Sequence, residues 1–266
     1  MLGKFNCYFK YFLYFMFMLS QAKKQRMRID QLLTQRGLVD SREQAKKLIL
    51  AGFVYTQNSR IEKASQVLDI DTEITLKELP KYVSRAGYKI ETALDHFNYN
   101  PQDLTCLDIG ASTGGFTDCL LQRGAKHVYT IDVGTNQLVW KIRSHPQVTA
   151  KEQFNARNLT VDDLGEYVDL IVMDLSFISL TKILPNAFSV LKPTGSIMCL
   201  IKPQFELQPE KISKGGIVLD ESLRQEAQDK IKLFTTETLE KKWQGVTPSK
   251  IQGTQGNQEY IAWLTH

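Results

Sequence analysis

Apolar and polar positions change their period along the chain, and this pattern divides the chain into segments of different structure. From residue 81 to residue 266, short apolar runs alternate with segments whose apolar residues recur at helical spacing. Such alternation is typical of an α/β domain with a mostly parallel sheet. The predicted strands are residues 105–109, 127–133, 168–174, 196–201 and 260–264, and the predicted helices are residues 90–97, 116–122, 180–191 and 221–244.

The segment before it, residues 27–80, predicts a small α+β domain. Apolar residues at helical spacing indicate a first helix that ends near Gly37. Ser41 and Gln44 form a capping-box pattern, which predicts a second helix that ends at Gly52. Strand-like runs follow at residues 53–56, 67–70 and 73–76, with a polar turn at residues 57–59.

Charge is distributed unevenly along the chain. The 33 basic and 29 acidic residues give a formal net charge of +4, but residues 1–26 contain five of the bases and none of the acids. The rest is nearly neutral and is basic only locally, with a net +3 over residues 27–60 and again over residues 81–90. A composition of 42% hydrophobic and 23% charged residues indicates a globular protein. Four dispersed cysteines exclude a disulfide scaffold and provide no zinc-site spacing.

Residues 1–26 combine an apolar run at residues 11–19 with flanking basic residues. Such a run is much shorter than the ~20 residues that a membrane-spanning helix needs, so we expect no stable membrane span. The pattern is similar to that of a signal peptide. Translation could also begin later, at Met18 or Met27. We expect residues 1–26 to be an upstream-start extension, with an export signal or a membrane tether as the alternative.

The most informative segment is Cys106–Thr117, which predicts a strand, a glycine-rich turn and a helix. A dinucleotide site needs a middle glycine where this chain has Ser112. The spacing from Gly110 to Gly114 also fits the hydrolase nucleophile elbow, but the late histidine of that fold has no good candidate. An S-adenosylmethionine loop fits better, because Asp108 precedes the first glycine and can hold the cationic amino group of the methionine moiety.

A second acid and an amide complete the predicted cofactor site. Asp132 ends the next strand, where a carboxylate can accept hydrogen bonds from a ribose diol. Gln153 or Asn155 is a candidate contact to adenine, and the glycines let the backbone approach the ligand closely. The predicted cofactor-binding residues are Asp108, Gly110, Ser112, Thr113, Gly114, Gly115, Asp132 and Asn155.

Four charged residues stand near strand ends or at the first helix of the large domain. Lys89 opens that helix, Asp174 and Lys202 end strands, and Glu259 begins the last strand. The carboxyl ends of parallel strands lie at the ligand crevice, and charges beside apolar runs are costly unless they are paired. We therefore predict one charged site above the sheet, and we find no cluster typical of a metal site.

The front segment resembles an RNA-binding domain of the ribosomal-protein-S-four type. The matching residues are Arg28-Ile-Asp-x-Leu-Leu, Arg36-Gly-Leu, Ser41-Arg42, Ala45, Ile49 and Gly52-x-Val54. The family usually has a glycine in the turn that here contains Asn58 and Ser59. The resemblance implies contacts to successive phosphates without sequence readout. The predicted RNA-binding residues are Arg28, Arg36, Arg42, Lys46 and Lys47, with Arg85 in the large domain.

The large domain resembles FtsJ-type ribose 2′-O-methyltransferases. Their catalytic tetrad has the order Lys–Asp–Lys–Glu, which matches Lys89, Asp174, Lys202 and Glu259. With the front domain and further motifs, the chain is identified as a member of the TlyA family, known both as hemolysin A and as ribosomal RNA cytidine 2′-O-methyltransferase. The further motifs are Ser84-Arg-x-Gly-x-Lys89, Gly-Ala-Ser-Thr-Gly-Gly-Phe-Thr, Asp-Leu-Ser-Phe-Ile-Ser and Lys-Pro-Gln-Phe-Glu.

This resemblance covers residues 27–266, with the boundary between the two domains near residues 80 and 81. It implies a cytoplasmic enzyme that transfers methyl from S-adenosylmethionine to a ribose 2′-OH, of cytidine, in ribosomal RNA or ribosomal subunits. Lys202 is the candidate base or the electrostatic stabiliser of the developing alkoxide. Asp174 would orient Lys202, while Lys89 and Glu259 would position the ribose. A membrane-active hemolysin and an RNA base methyltransferase stay open as alternatives, as do the nucleotide, the subunit and the oligomeric state.

Overall fold

The structure is a computed structural model that describes residues 25–57, 59–77, 80–213, 215–253 and 256–266. The chain divides into two compact units, the second of which begins at Pro80. Residues 1–24, with the apolar run at residues 11–19, lie outside the described residues. The interpretation of that segment as an upstream extension therefore stays a prediction.

Two helices and two small antiparallel sheets form the first unit. Its elements are β1 (Arg26–Arg28), α1 (Ile29–Gln35), α2 (Arg42–Leu50), β2 (Val54–Thr56), β3 (Ser59–Arg60), β4 (Val67–Asp69) and β5 (Ile74–Leu76). Strand β2 pairs with both β3 and β5, and β1 pairs with β4. The core lies between the helices and β2 and contains Ile29, Leu33, Ala45, Ile49 and Val54. The two predicted short helices and the strands predicted after them are present, but β1 precedes the helices and β3 begins at Ser59, within the predicted turn.

Helix α2 begins at the predicted cap. The Ser41 hydroxyl accepts a hydrogen bond from the Gln44 amide at 3.2 Å, which satisfies one of the free amides of the first turn. In a capping box the Gln44 side chain would accept a hydrogen bond from the Ser41 amide. Here it accepts instead from the amide of the preceding residue, Asp40, at 2.9 Å.

A seven-stranded sheet forms the centre of the second unit. Its helices are α3 (Ala86–His96), α4 (Gly115–Gln122), α5 (Trp140–Arg143), α6 (Val161–Leu164), α7 (Leu184–Ser189), α8 (Pro203–Glu206) and α9 (Glu221–Leu233). Its strands are β6 (Thr105–Ile109), β7 (His127–Ile131), β8 (Val148–Lys151), β9 (Val168–Met173), β10 (Leu191–Ile201), β11 (Lys242–Pro248) and β12 (Tyr260–Thr265). Short 3₁₀ segments cover Ala156–Asn158, Leu180–Lys182 and Pro209–Lys211, and a π-helical turn covers Phe234–Thr238.

The strand order is β11-β12-β10-β9-β6-β7-β8. Strands β10, β9, β6, β7 and β8 run parallel, and β12 is antiparallel to both of its neighbours. Alternate strand residues face opposite sides of the sheet. One face packs against α3 and α4 through Cys106, Leu170 and Leu200, and the other packs against α7 and α9 through Leu107, Ile171 and Ile201. The prediction of an α/β domain with a mostly parallel sheet is confirmed.

The predicted helix over residues 221–244 is wrong in its second half. Helix α9 ends at Leu233, a π turn follows, and residues 242–248 form the edge strand β11. Strand β11 pairs with β12, which lies outside the stretch of sequence that shows the helical spacing. This tertiary contact overrides the local helical pattern. Strand β8 (Val148–Lys151) was also not among the predicted strands.

The predicted helix over residues 180–191 is likewise not continuous. A 3₁₀ turn covers Leu180–Lys182, α7 covers Leu184–Ser189, and Leu191 already belongs to β10. Pro185 lies in the first turn of α7, where its missing amide costs nothing. A proline inside the predicted helix therefore marks the start of a new one.

Candidate active site

Polar side chains surround two adjoining cavities at the carboxyl-terminal ends of the parallel strands. The first cavity has a volume of about 320 Å³, and its walls include Lys89, Asp108, Asp174, Lys202 and Glu259. The second has a volume of about 470 Å³, and its walls include Gly110, Asp132, Phe154, Asn155 and Leu175. Ser112, Asp174 and Ser176 border both cavities. The predicted cofactor loop and the four predicted charged residues therefore meet at a single site.

The glycine-rich loop turns sharply between β6 and α4. Gly110 has φ +83°, and a Cβ there would lie 2.6 Å from the carbonyl oxygen of Asp174. Ser112 also adopts a left-handed conformation, with φ +48°. Gly114 has φ +93°, and a Cβ there would lie 3.0 Å from Ile142. The loop therefore depends on glycine for its conformation at positions 110 and 114.

The space that a side chain at Gly115 would occupy is taken by other residues of the protein and not by a cavity. A Cβ there would lie 2.2 Å from the Ser84 hydroxyl and 3.0 Å from the Gly87 amide nitrogen. The sequence predicted that this glycine admits a ligand. The structure gives a further reason for glycine at this position, because the missing side chain lets Ser84 and the start of α3 approach the start of α4.

Asp108 lies in β6 and is fully buried. Its Oδ2 accepts hydrogen bonds from the Thr117 amide at 3.0 Å and the Thr117 hydroxyl at 2.6 Å. Its Oδ1 is buried without a hydrogen-bond partner in the described structure. Burial, opposed by Thr117 and assisted by the carboxylate of Asp174, raises the pKa of Asp108 to about 7.

Asp132 follows β7 and organises the opposite side of the loop. Its Oδ2 accepts the Ser112 amide at 2.8 Å, and its Oδ1 accepts the Gly134 amide at 2.7 Å. Asn155 borders the same cavity, and its Oδ1 accepts the Arg157 amide at 3.1 Å. Gln153 has φ +56° and is not among the described residues that line this cavity.

Three ion pairs join the four charged residues into one chain. Lys89 Nζ lies 2.6 Å from Glu259 Oε2 and 3.8 Å from Asp174 Oδ2. Lys202 Nζ lies 2.6 Å from Asp174 Oδ1. Lys89, Lys202 and Glu259 are buried, with exposures of 9%, 8% and 2%. Asp174 therefore links both lysines, and each lysine presents its ammonium group beside the first cavity.

The chain is similar to two known domain families. A model of the FtsJ-like methyltransferase family matches residues 82–266. The chain belongs to this family. An S4 domain model matches residues 27–74. The sequence-based prediction of this two-part family is confirmed.

Similar proteins carry two kinds of name. A Mycobacterium tuberculosis protein named 16S/23S rRNA (cytidine-2′-O)-methyltransferase TlyA is 40% identical, covering 90% of this chain and 90% of that protein. Hemolysin A of Brachyspira hyodysenteriae is 42% identical, covering 89% of this chain and 98% of that protein. A solved Streptococcus thermophilus structure that carries the name hemolysin superposes with a TM-score of 0.69 at 42% identity, covering 91% of this chain and 88% of that one.

Family and fold imply S-adenosylmethionine as the methyl donor, and the residues present fit this cofactor. The unpartnered Oδ1 of Asp108 borders the first cavity and suits an ammonium group. A buried polar atom without a partner is rare in native proteins and is accounted for when a ligand supplies the missing hydrogen bond.

Two serines at the site were missed by sequence reasoning. The Ser84 hydroxyl is a second buried oxygen without a partner in the described structure, and it borders the first cavity. The Ser176 hydroxyl accepts a hydrogen bond from Lys202 Nζ at 3.0 Å. Both serines lie inside motifs that the sequence singled out, but only the folded structure brings their hydroxyls to the cavities.

The predicted RNA-binding residues differ in what they contact. Arg28 and Arg42 donate to Asp30 at 3.0 and 2.8 Å, and Arg36 donates to the carbonyls of Thr72 and Ile70. Lys47 lies 3.6 Å from Glu43, and Lys46 is exposed. Arg85 is exposed at the wall of the first cavity. Whether these side chains bind RNA stays a prediction.

The described residues include neither a metal-site cluster nor a membrane-spanning helix. They contain no group of three or more His, Cys, Asp or Glu side chains that could hold a metal ion. They also contain no helix that is both long and apolar enough to cross a bilayer.

Proposed function

We propose that this FtsJ-like methyltransferase acts on the ribose 2′-OH of cytidine in ribosomal RNA. The observation that carries the proposal is the ion-paired Lys89–Asp174–Lys202–Glu259 cluster beside the orphaned carboxyl oxygen of Asp108. The printed name of the Mycobacterium tuberculosis relative supports the choice of ribosomal cytidine. A substrate in ribosomes is consistent with a cytoplasmic enzyme.

The cofactor site is proposed to span both cavities. Asp108 and Ser84 would hold the amino-acid end of S-adenosylmethionine, Asp132 would accept the ribose hydroxyls, and Asn155 would contact adenine. Gly110, Ser112, Thr113, Gly114 and Gly115 form the loop between these ends. When bound, S-adenosylmethionine supplies an electrophilic methyl group on a sulfonium centre.

Lys202 is proposed to act on the 2′-OH. The hydroxyl must lose its proton as it attacks the methyl group, so a group beside it must accept the proton or stabilise the oxygen's developing negative charge. Lys202 pairs with Asp174 at 2.6 Å, which supports the role of an ammonium group that stabilises the developing alkoxide. The proton of the 2′-OH would then be released to solvent as the oxygen–methyl bond forms and the sulfur–methyl bond breaks. Asp174 and Ser176 would then hold Nζ in place.

Lys89 and Glu259 are proposed to position the ribose. Glu259 is 2% exposed and holds Lys89 Nζ at 2.6 Å, which fixes the lysine at the wall of the first cavity. Arg85, one turn earlier at the cavity rim, is proposed to contact an RNA phosphate. The target nucleotide would leave its stack for its 2′-OH to reach this site.

The test is methyl transfer by the full chain to purified small and large ribosomal subunits, with methyl-labelled S-adenosylmethionine. We expect nucleoside mass spectrometry to find the label in 2′-O-methylcytidine. Label in a methylated base would replace the proposal by RNA base methylation. Absence of transfer, together with leakage of dye from lipid vesicles, would favour the hemolysin function that two relatives' names suggest.

A further inference from the structure

Two segments at the carboxyl edge of the sheet contact each other repeatedly. The β9 loop, residues 174–179, follows β9, and the β10 segment, residues 202–206, follows β10. At one end, Lys202 contacts Asp174 and Ser176 at 2.6 and 3.0 Å. In the middle, the rings of Phe177 and Phe205 lie 5.1 Å apart. At the other end, the contact is made by a buried carboxylate that is not among the described residues lining either cavity.

That carboxylate belongs to Glu206, which is 5% exposed. Its Oε1 accepts the Leu180 amide at 2.8 Å, and its Oε2 accepts the Ser179 hydroxyl at 2.5 Å. Lys230 of α9 lies 3.1 Å from Oε2 and also donates to the backbone carbonyl of Glu206. A buried carboxylate is costly unless it is paired and hydrogen-bonded, and here it has both kinds of partner.

The β9 loop contains a residue in an unfavourable conformation. Phe177 has φ +63° and is 90% exposed. The left-handed region is unfavourable for a bulky residue, and such a conformation persists only where surrounding contacts hold it. The Glu206 bonds to Ser179 and Leu180 fix the end of this loop, and the Lys202 contacts lie at its start.

We propose that Glu206 is a positioning residue for methyl transfer. By holding the β9 loop against the β10 segment, it keeps Asp174 and Ser176 at hydrogen-bonding distance from Lys202 Nζ. This inference rests on the proposed function of Lys202. It assigns Glu206 no contact with substrate or cofactor.

The kinetic test compares Glu206→Ala and Glu206→Gln with the wild-type full chain. Alanine removes every side-chain bond of Glu206, so we expect kcat to fall roughly 10- to 100-fold with little change in KM for S-adenosylmethionine, because small misplacements at a reacting centre cost this much. Glutamine can still accept the Leu180 amide and meet the Ser179 hydroxyl. We expect Glu206→Gln to recover most of kcat.

Asp163 provides a matched control. Its carboxylate also binds a backbone amide, a hydroxyl and a lysine, with Thr160 at 3.0 and 2.9 Å and Lys151 at 2.9 Å, but it lies in α6. We expect Asp163→Ala to lower the Tm to a similar extent as Glu206→Ala while kcat stays at the wild-type value. Equal kcat values for the two alanine variants and the wild type would overturn the inference.

A crystal structure of Glu206→Ala separates this inference from the proposed function. We expect Lys202 Nζ to have moved out of hydrogen-bonding distance of Asp174 or Ser176. If both contacts are retained, Glu206 does not position them, whatever the enzyme methylates. If the contacts are lost but the wild-type chain transfers no methyl group to ribosomal RNA, the proposed function fails and the positioning role stands.

Discussion

Asp108 has one carboxyl oxygen bonded to Thr117 and one with no partner in the described structure, in a fully buried position. Burial raises the pKa of this carboxyl to about 7, so near neutral pH the carboxyl of the cofactor-free protein is partly protonated. A cationic amino group at Oδ1 favours the ionised form. If S-adenosylmethionine places its amino group there, as proposed, cofactor binding below pH 7 will release a proton.

We expect the affinity for S-adenosylmethionine to fall up to tenfold for each pH unit below about 7 and to level off above it. Isothermal titration calorimetry between pH 5.5 and 8.5 measures this dependence. Asp108→Asn should bind the cofactor more weakly and lose the pH dependence. The exposed control Asp162→Asn should keep the wild-type affinity and its pH dependence. An Asp108→Asn variant with the wild-type slope would show that another group titrates.

At the scale of an element, α1 begins with a buried carboxylate between two arginines. Asp30 is 0% exposed and bonds to Arg28 and Arg42. The hydrogen bond from Arg28 is the largest of the causes that lower the pKa of Asp30 to about 2. Because the pKa is lowered in the folded state, the stabilisation is present above pH 4 and is lost as the pH falls towards 2.

We expect Asp30→Asn to destabilise the first unit by about 2 kcal/mol at pH 7, a usual size for hydrogen bonds to a charged group. Hydrogen exchange of peptides from α1 and α2 measures this change without requiring the two units to unfold together. The exposed Asp40→Asn variant is the control. Equal exchange rates in Asp30→Asn and wild type would contradict the role of Asp30.

Local patterns were sufficient for the elements whose signals lie close together in the sequence. Strand β6, the glycine-rich turn and α4 follow one another directly, and all three are where the pattern placed them. Strand β11 was missed because its pairing with β12 is set by the folded sheet and leaves no strand pattern in residues 242–248 themselves. The break before α7 could have been found, since Pro185 was visible in the sequence.

The residues of the site differ in the same way, since some could be predicted from local sequence and others depend on contacts between distant segments. Charged residues at strand ends could be found from the sequence, and the fold brings Lys89 to Glu259 across 170 positions. The unpartnered hydroxyl of Ser84 and the bonds of Glu206 could not be found, because they depend on which loops become neighbours. Counting charges likewise could not show that Arg28 and Arg42 are held by Asp30.

At the scale of the whole molecule, RNA binding should depend on individual exposed lysines and on salt. Lys46 is exposed on α2 in the unit that matches an S4 domain. If it contacts a phosphate, Lys46→Ala should weaken binding to ribosomal RNA and reduce the slope of log affinity against log salt by about 1. Filter binding between 50 and 300 mM salt, roughly the range where such slopes are measured, tests this.

Lys126→Ala is the matched control for that experiment. Lys126 is exposed and directly precedes β7, so it lies at the edge of the sheet opposite the cavities. We expect this variant to keep the wild-type affinity and slope. If both variants lose the same affinity, net charge rather than a contact at Lys46 explains the effect.

The most direct test of the account is single-turnover methyl transfer to ribosomal subunits by the wild-type chain and by Lys202→Ala, followed by alkaline hydrolysis of the RNA. A 2′-O-methyl group blocks cleavage of the neighbouring bond, so we expect the wild-type label in alkali-resistant dinucleotides. Lys202→Ala should transfer the methyl group at least about 100-fold more slowly than the wild type, because it removes a group that acts on the 2′-OH. Its affinity for the cofactor should be unchanged. A wild-type rate for Lys202→Ala, or label only in alkali-sensitive nucleotides, would contradict ribose methylation by this charged site.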